Sequence, residues 1–127
     1  MSDSITYSGV TVDCPDPRAL AAFYVEITRG QVIVDMPGFV VIDSPGGEIG
    51  FQQAAGHQPP TWPDPASPMQ MHLDFFVDDL DATEARVLAA GATKFAEQPN
   101  DHCRVFADPA GHPFCLSMQE TAGDLDL

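Results

Sequence analysis

Positive charge is scarce in this chain: Lys and Arg number 5 against 19 Asp and Glu, a formal charge of −14 over 127 residues. A surface of that sign repels phosphate backbones and anionic headgroups, so nucleic acid and membrane surfaces are excluded as partners. No apolar run approaches the roughly 20 residues that a bilayer-crossing helix requires. The opening MSDSITYSG has no basic stretch followed by an apolar one, so no secretory leader is expected and a cytoplasmic location follows. Cysteine is limited to Cys14, Cys103 and Cys115, an odd set without CxxC spacing. Neither a disulfide framework nor a zinc knuckle is indicated, and reduced thiols are expected. Also missing are a phosphate-binding glycine-rich loop, a GxSxG elbow and an HExxH helix, which removes the commonest nucleotide, serine-hydrolase and metalloprotease readings.

What the chain does have is internal repetition. GVTVDCPDPRALAAFY, from Gly9 to Tyr24, has a degenerate partner in HLDFFVDDLDATEARV, from His72 to Val87. The same spacing separates Gly9 from His72 and Asp16 from Asp79. Each copy is an alternating run that reaches an Asp at a helix start, and each ends in a turn and a final strand, IDSPGGEIGFQQ and FADPAGHPFCLS. A 44% hydrophobic and 19% charged composition is that of a globular protein. Two halves of about 60 residues would be marginal apart, so a single domain spanning residues 1–127 is expected.

The first module, about 5–56, reads as βαβββ. A strand near Tyr7–Cys14 precedes Asp16 as N-cap and Pro17 at the first helical position. Leu20, Phe23, Tyr24 and Ile27 form an apolar helical stripe, and Gly30 is the expected C-cap. QVIVD, FVVID and EIGFQQA then supply three strands. The second module, about 69–119, repeats the order with MHLDFFV, a helix capped by Asp79 and closed by Gly91, and the strands ATKFAE, CRVFAD and PFCLSMQ. Residues 57–68 are a proline-stiffened linker carrying Trp62. The tail TAGDLDL is expected to fray.

Side chains alternate across a strand, so the first and last strands of each module can be sorted into faces. Val10, Val12, Ile49, Phe51, Leu73, Phe75, Val77, Phe114, Leu116 and Met118 form an apolar face suited to packing under the helices. The opposite face carries Gly9, Thr11, Asp13, Gly50, Gln52, His72, Asp74, Phe76, Cys115, Ser117 and Gln119. That small, weakly polar set suits the wall of a wet cleft, although a bare outer face would alternate in the same way.

The tandem βαβββ order, with GVTVDCPDP, HLDFFVDDLDA and ADPAGHPF, resembles the vicinal oxygen chelate superfamily, and within it the small glyoxalase-like and bleomycin-resistance-like proteins. The resemblance runs from about Ile5 to Gln119. It implies an α+β fold whose curled mixed sheets enclose a cleft, in a protein that works as a homodimer. Metal-dependent members take one His, Glu or Gln ligand from the first and last strand of each module. Those places fall on Gly9, on or near Gly50, on His72 and on Cys115. Only His72 keeps a usual ligand type, so no metal or other cofactor is expected, with His72 the one weak metal candidate.

His72 is the candidate catalytic residue, because a carboxylate beside an imidazole, here Asp74, fixes its tautomer for acid–base work. Cys115 is a nucleophile candidate if a base activates it. Thr11, Gln52, Trp62, His72, Asp74, Cys115 and Ser117 are the candidate ligand-binding residues, since hydroxyl and amide groups orient small polar ligands. Trp62 serves equally as a lid or as packing at a dimer interface. His57, His102 and His112 are expected to be exposed, and Phe39 and Phe76 to be pocket or core. Three functions stay open: a protein that binds a small organic molecule in the cleft without a complete metal site, a metal-dependent lyase, isomerase or dioxygenase, and a metal-free enzyme using His72 with Asp74 or Cys115.

Overall fold

The computed structural model describes residues 4–118, so Gln119 and the tail TAGDLDL lie outside the described residues. The chain divides after His57 into two compact units. The element order is β1 (Gly9–Cys14), α1 (Pro17–Thr28), β2 (Gln31–Met36), β3 (Phe39–Ser44), β4 (Gly47–Gln53), β5 (Leu73–Val77), α2 (Leu80–Ala90), β6 (Thr93–Lys94), β7 (Cys103–Ala107) and β8 (Pro113–Met118). Each unit is a βαβββ module with one open four-stranded mixed sheet, ordered β1-β4-β3-β2 in the first and β5-β8-β7-β6 in the second. The first and last strands of each module pair in parallel, and the other pairs are antiparallel. A parallel pair requires a long crossover, which the helix and two intervening strands supply.

In the first unit, α1 begins at Asp16, whose carboxylate accepts the Ala19 amide at 3.2 Å. Leu20, Phe23 and Tyr24 bury their side chains, and Tyr24 stacks on Phe51 with ring centroids 5.6 Å apart. Val40 lies opposite Phe51, and Ile42 opposite Ile49, so the alternation of β3 and β4 puts one apolar face under the helix. The helix does not end at Gly30. Arg29 takes the left-handed conformation, φ 61°, and its amide bonds back to the Val25 carbonyl. Glycine is needed one residue later for a different reason, because a Cβ at Gly30 would overlap the Asp43 carbonyl oxygen.

In the second unit, Asp79 caps α2 through the Ala82 amide at 3.0 Å, and Gly91, φ 121°, closes it. Phe114 stacks on Phe106, its register partner, and meets Phe75 edge-on. The expected sixth strand ATKFAE shortens to Thr93–Lys94. Beside Val105 the Phe95 amide still donates to the carbonyl at 3.2 Å, and the Gln98 side-chain amide accepts from the Val105 amide at 2.8 Å and donates to the same carbonyl at 3.0 Å. The expected strand MHLDFFV likewise starts late, at Leu73. Leu73 lies opposite Phe114, and the next residue outward on β8 is Pro113, which has no N–H to extend the ladder.

Two expected exposures are corrected. His102 is exposed, but His57 and His112 are half-buried. His112 is drawn in by Asp108, a fully buried carboxylate 2.9 Å from its Nδ1. Phe76, at 59% exposure, is not core. No helix among the described residues is long and apolar enough to cross a membrane.

Candidate functional site

Register decides which candidate residues meet. In the second unit, the parallel β5–β8 pair sets Asp74 opposite Cys115 and Phe76 opposite Ser117. The antiparallel β7–β8 pair then sets Val105 opposite Cys115 and Cys103 opposite Ser117. One sheet face therefore presents two adjacent rows, Asp74–Cys115–Val105 and Phe76–Ser117–Cys103. His72, immediately before β5, shares the side of Asp74.

The structure brings His72, Asp74 and Cys115 together. His72 Nε2 lies 3.0 Å from Asp74 Oδ1, and one donor atom from each of the three residues falls within 4.8 Å of the others. Their exposures differ: the His72 side chain is 33% exposed, that of Asp74 69%, and Cys115 only 8%. Burial pushes the Cys115 thiol up to about 12 from its ordinary 9.0, with Cys103 and then Asp74 adding to the rise. A thiol so held is a poor nucleophile at neutral pH, because the thiolate is the reactive form.

Cys103 was not a candidate from sequence, yet it lies near enough to Cys115 to add to the rise of its pKa. The signal that could have found it is the tight turn between β7 and β8, which fixes the hairpin register and so the shared face of Cys103 and Cys115.

The corresponding face of the first unit is built on the same plan. Thr11 lies opposite Gly50, and Asp13 opposite Gln52. Thr11 lines a hollow of about 130 Å³ with Gly9, Phe39, Val41, Glu48 and Gly50, while the Gln52 side chain is exposed. Such a hollow is smaller than the roughly 300–1,000 Å³ of drug-sized ligand pockets. Trp62 packs edge-on against Phe95 of the second unit, with centroids 5.1 Å apart.

The four places that the resemblance assigns to metal ligands differ in donor chemistry. Gly50 and Cys115 are equivalent in register, each opposite the strand residue two beyond Gly9 or His72. Gly9 and Gly50 offer no side-chain donor, and neither has room for one. A Cβ at Gly9 would stand 2.9 Å from the Glu48 carbonyl oxygen, and one at Gly50 would stand 2.7 Å from Thr11 Oγ1. Gly9 and Gly50 therefore give the first unit no side-chain donor at these two places.

The family model described as the glyoxalase-like domain matches residues 9–117. Among solved structures, a glyoxalase/bleomycin resistance protein/dioxygenase family enzyme from Burkholderia phytofirmans PsJN is 24% identical, with a TM-score of 0.71 over 87% of this chain and 96% of its own. The fosfomycin resistance protein FosX from Listeria monocytogenes, complexed with Mn(II) and sulfate, is 20% identical, with a TM-score of 0.73 over 91% of each chain. A glyoxalase-related enzyme from Fulvimarina pelagi is 19% identical, with a TM-score of 0.67 over 90% of this chain and 88% of its own. No curated protein matches the sequence.

Proposed function

Because the chain belongs to the glyoxalase-like domain family, we propose that it binds a small organic molecule on the sheet face carrying Asp74, Cys115 and Ser117, without the divalent centre shared between modules. The observation that carries this reading is the pair of glycines, Gly9 and Gly50, at two of the four ligand places, with no space for donors. What remains on the second unit's face is a set of hydrogen-bonding groups of graded exposure, from Asp74 at the open edge to Cys115 at the buried centre. That gradient suits a small ligand with a polar end directed at Asp74 and His72 and an apolar part against the exposed Phe76. We infer a cytoplasmic homodimer as its setting, and light scattering of the purified chain checks the assembly.

The test is a thermal-shift screen of small organic molecules against chelator-treated protein. A hit that raises the melting temperature, that is recovered unchanged, and whose effect is lost in Ser117→Val or Asp74→Ala supports the reading. Hits that survive both substitutions overturn it.

One observation favours a second reading. The 3.0 Å contact between His72 Nε2 and Asp74 Oδ1 is the arrangement by which a carboxylate orients an imidazole for proton transfer. In a metal-free enzyme, His72 Nδ1 would then take a proton from the ligand while Asp74 holds the opposite nitrogen. The raised thiol pKa disfavours the variant in which Cys115 attacks as a nucleophile. Turnover of a hit that disappears in His72→Ala, while binding persists, separates this reading from simple binding.

A further inference from the structure

We propose that the first unit carries a further ligand site, a groove between α1 and β2 on the helix side of its own sheet, which binds an apolar amine. None of its residues belongs to the second unit, so the groove is separate from the face proposed above for the small organic molecule.

A β-bulge makes the groove. Side chains alternate along a strand, so Val32 and Asp35, three residues apart, would ordinarily point to opposite faces. The register of β2 on β3 shifts between Val32 and Val34, with Val32 opposite Ile42 and Asp35 opposite Val40. Register partners share a face, and Ile42 and Val40 are both buried on the side that α1 covers. Ile33 is the extra residue, and its insertion turns Asp35 to the helix side, where Val32 already faces. Above them, Arg18, Ala21, Ala22 and Val25 follow the i, i+3, i+4, i+7 spacing of one helix face. Together with Val32, Asp35 and Val40 they line a hollow of about 380 Å³. That volume falls within the roughly 300–1,000 Å³ of small-molecule pockets.

The two ends of the hollow differ in chemistry. Val25 and Val32 close one end with hydrocarbon, Ala21 and Ala22 leave the middle open, and Val32 remains 48% exposed. The other end is polar, because Arg18 Nε meets Asp35 Oδ1 at 2.9 Å and both side chains are at least half exposed. Arg18 also lines an adjoining hollow of about 280 Å³ with Asp16 and Met36. The polar end therefore holds two carboxylates to one guanidinium, in a chain of formal charge −14. An anionic ligand would have to draw Arg18 from Asp35 against that field, whereas an ammonium group adds to Asp35 on the side away from Arg18. A hydrocarbon body over Ala22 and Val25 with a cationic amine at Asp35 satisfies both ends.

The isotope-labelled full chain is titrated at low salt with n-octylamine, and with 1-octanol and octanoate as neutral and anionic compounds of the same length, and followed by amide NMR. We expect octylamine to shift the Ala22, Val25 and Val32 amides with a Kd on the order of 1 mM. Octanol should bind about fivefold more weakly, and octanoate more weakly still. Asp35→Asn should weaken octylamine about fivefold and leave octanol unchanged, whereas Arg18→Gln should tighten octylamine. Ala22→Leu adds its bulk to the hollow from an exposed helix position and should weaken octylamine and octanol at least about tenfold. Circular dichroism establishes that each variant is folded, and Ala22→Gln stands in if the leucine variant is not. Octanoate binding as tightly as octylamine overturns the proposal, as does octylamine binding undiminished in Ala22→Leu or amide shifts confined to the second unit. Ser117→Val should leave octylamine binding unchanged, so this site and the small-molecule face of the second unit fail separately.

Discussion

Asp74 and Cys115 are register partners across the parallel β5–β8 pair, so a largely exposed carboxylate and a buried thiol stand side by side on one sheet face. Neither residue is in a sequence motif with the other. The juxtaposition is produced by the crossover that returns the last strand of the module to lie beside its first. A one-residue slip of β8 would replace Cys115 by Phe114 or Leu116 and destroy the cluster.

The first prediction concerns that thiol. With its pKa pushed up to about 12, Cys115 holds roughly a thousandfold less thiolate near pH 8 than an ordinary cysteine. Iodoacetamide should therefore modify Cys115 at least about tenfold more slowly in the folded chain than in urea, as read by peptide mass spectrometry. The folded-state value lies above the unfolded one, so the thiol's contribution to stability is intact below 9.0 and is lost as pH rises toward about 12. Urea midpoints should fall over that range in the wild type and fall less in Cys115→Ser. Equal declines would show that another group causes the loss.

The second prediction tests the repeated helix caps. Asp16 and Asp79 each accept an amide three residues on, at 3.2 and 3.0 Å. Asp16→Ala and Asp79→Ala should each lower stability by about 1 kcal/mol in urea denaturation, and the Asn variants should retain most of it. A loss confined to one site would mean that the two modules do not depend equally on their caps.

Both caps were legible in the sequence, because an Asp before an apolar helical stripe carries a local mechanism that needs no tertiary information. The strand alternation was legible for the same reason, and it placed Val10, Ile49, Phe51, Phe114 and Leu116 on the apolar face. Contacts that depend on register or on a side chain replacing backbone were not. Gln98 bonds both backbone groups of Val105, a role that nothing in its sequence neighbourhood announces. Arg29 rather than Gly30 closes α1, because the chain spends its glycine on the close approach to Asp43. Cys103 was invisible for a similar reason, since its nearness to Cys115 follows from hairpin register and not from spacing.

The third prediction follows from that close approach. At Gly30 an added methyl group meets the Asp43 carbonyl oxygen, a backbone atom of β3 that has little freedom to yield, and Thr28 Oγ1 at 3.1 Å. Gly30→Ala should cost about 2 kcal/mol or more. Gly56, which has nothing within 4 Å of an added Cβ, is the control, and Gly56→Ala should stay within about 0.5 kcal/mol of wild type. Comparable effects at both sites would show that the strand moves aside.

The last prediction concerns the turn that sets the register of β7 against β8. Asp108, with a side chain 0% exposed, accepts the Ala110 amide at 2.9 Å and the His112 amide at 3.0 Å through Oδ1, and lies 2.9 Å from His112 Nδ1 through Oδ2. Its own amide donates to the His112 carbonyl at 2.9 Å, which closes the turn just before Ala107 pairs with Pro113. Asp108→Ala removes one acceptor from several donors at once while leaving the backbone turn bond in place. Leaving half-buried donors unsatisfied should cost about 3 kcal/mol in urea denaturation. Amide exchange should quicken at Ala110 and His112 first, and then along β8 toward Cys115. If exchange quickened only within the turn, the register would be held by the stacked Phe106 and Phe114 rather than by Asp108. The cluster on the opposite face should then survive the substitution, with the Cys115 thiol still slow to react with iodoacetamide.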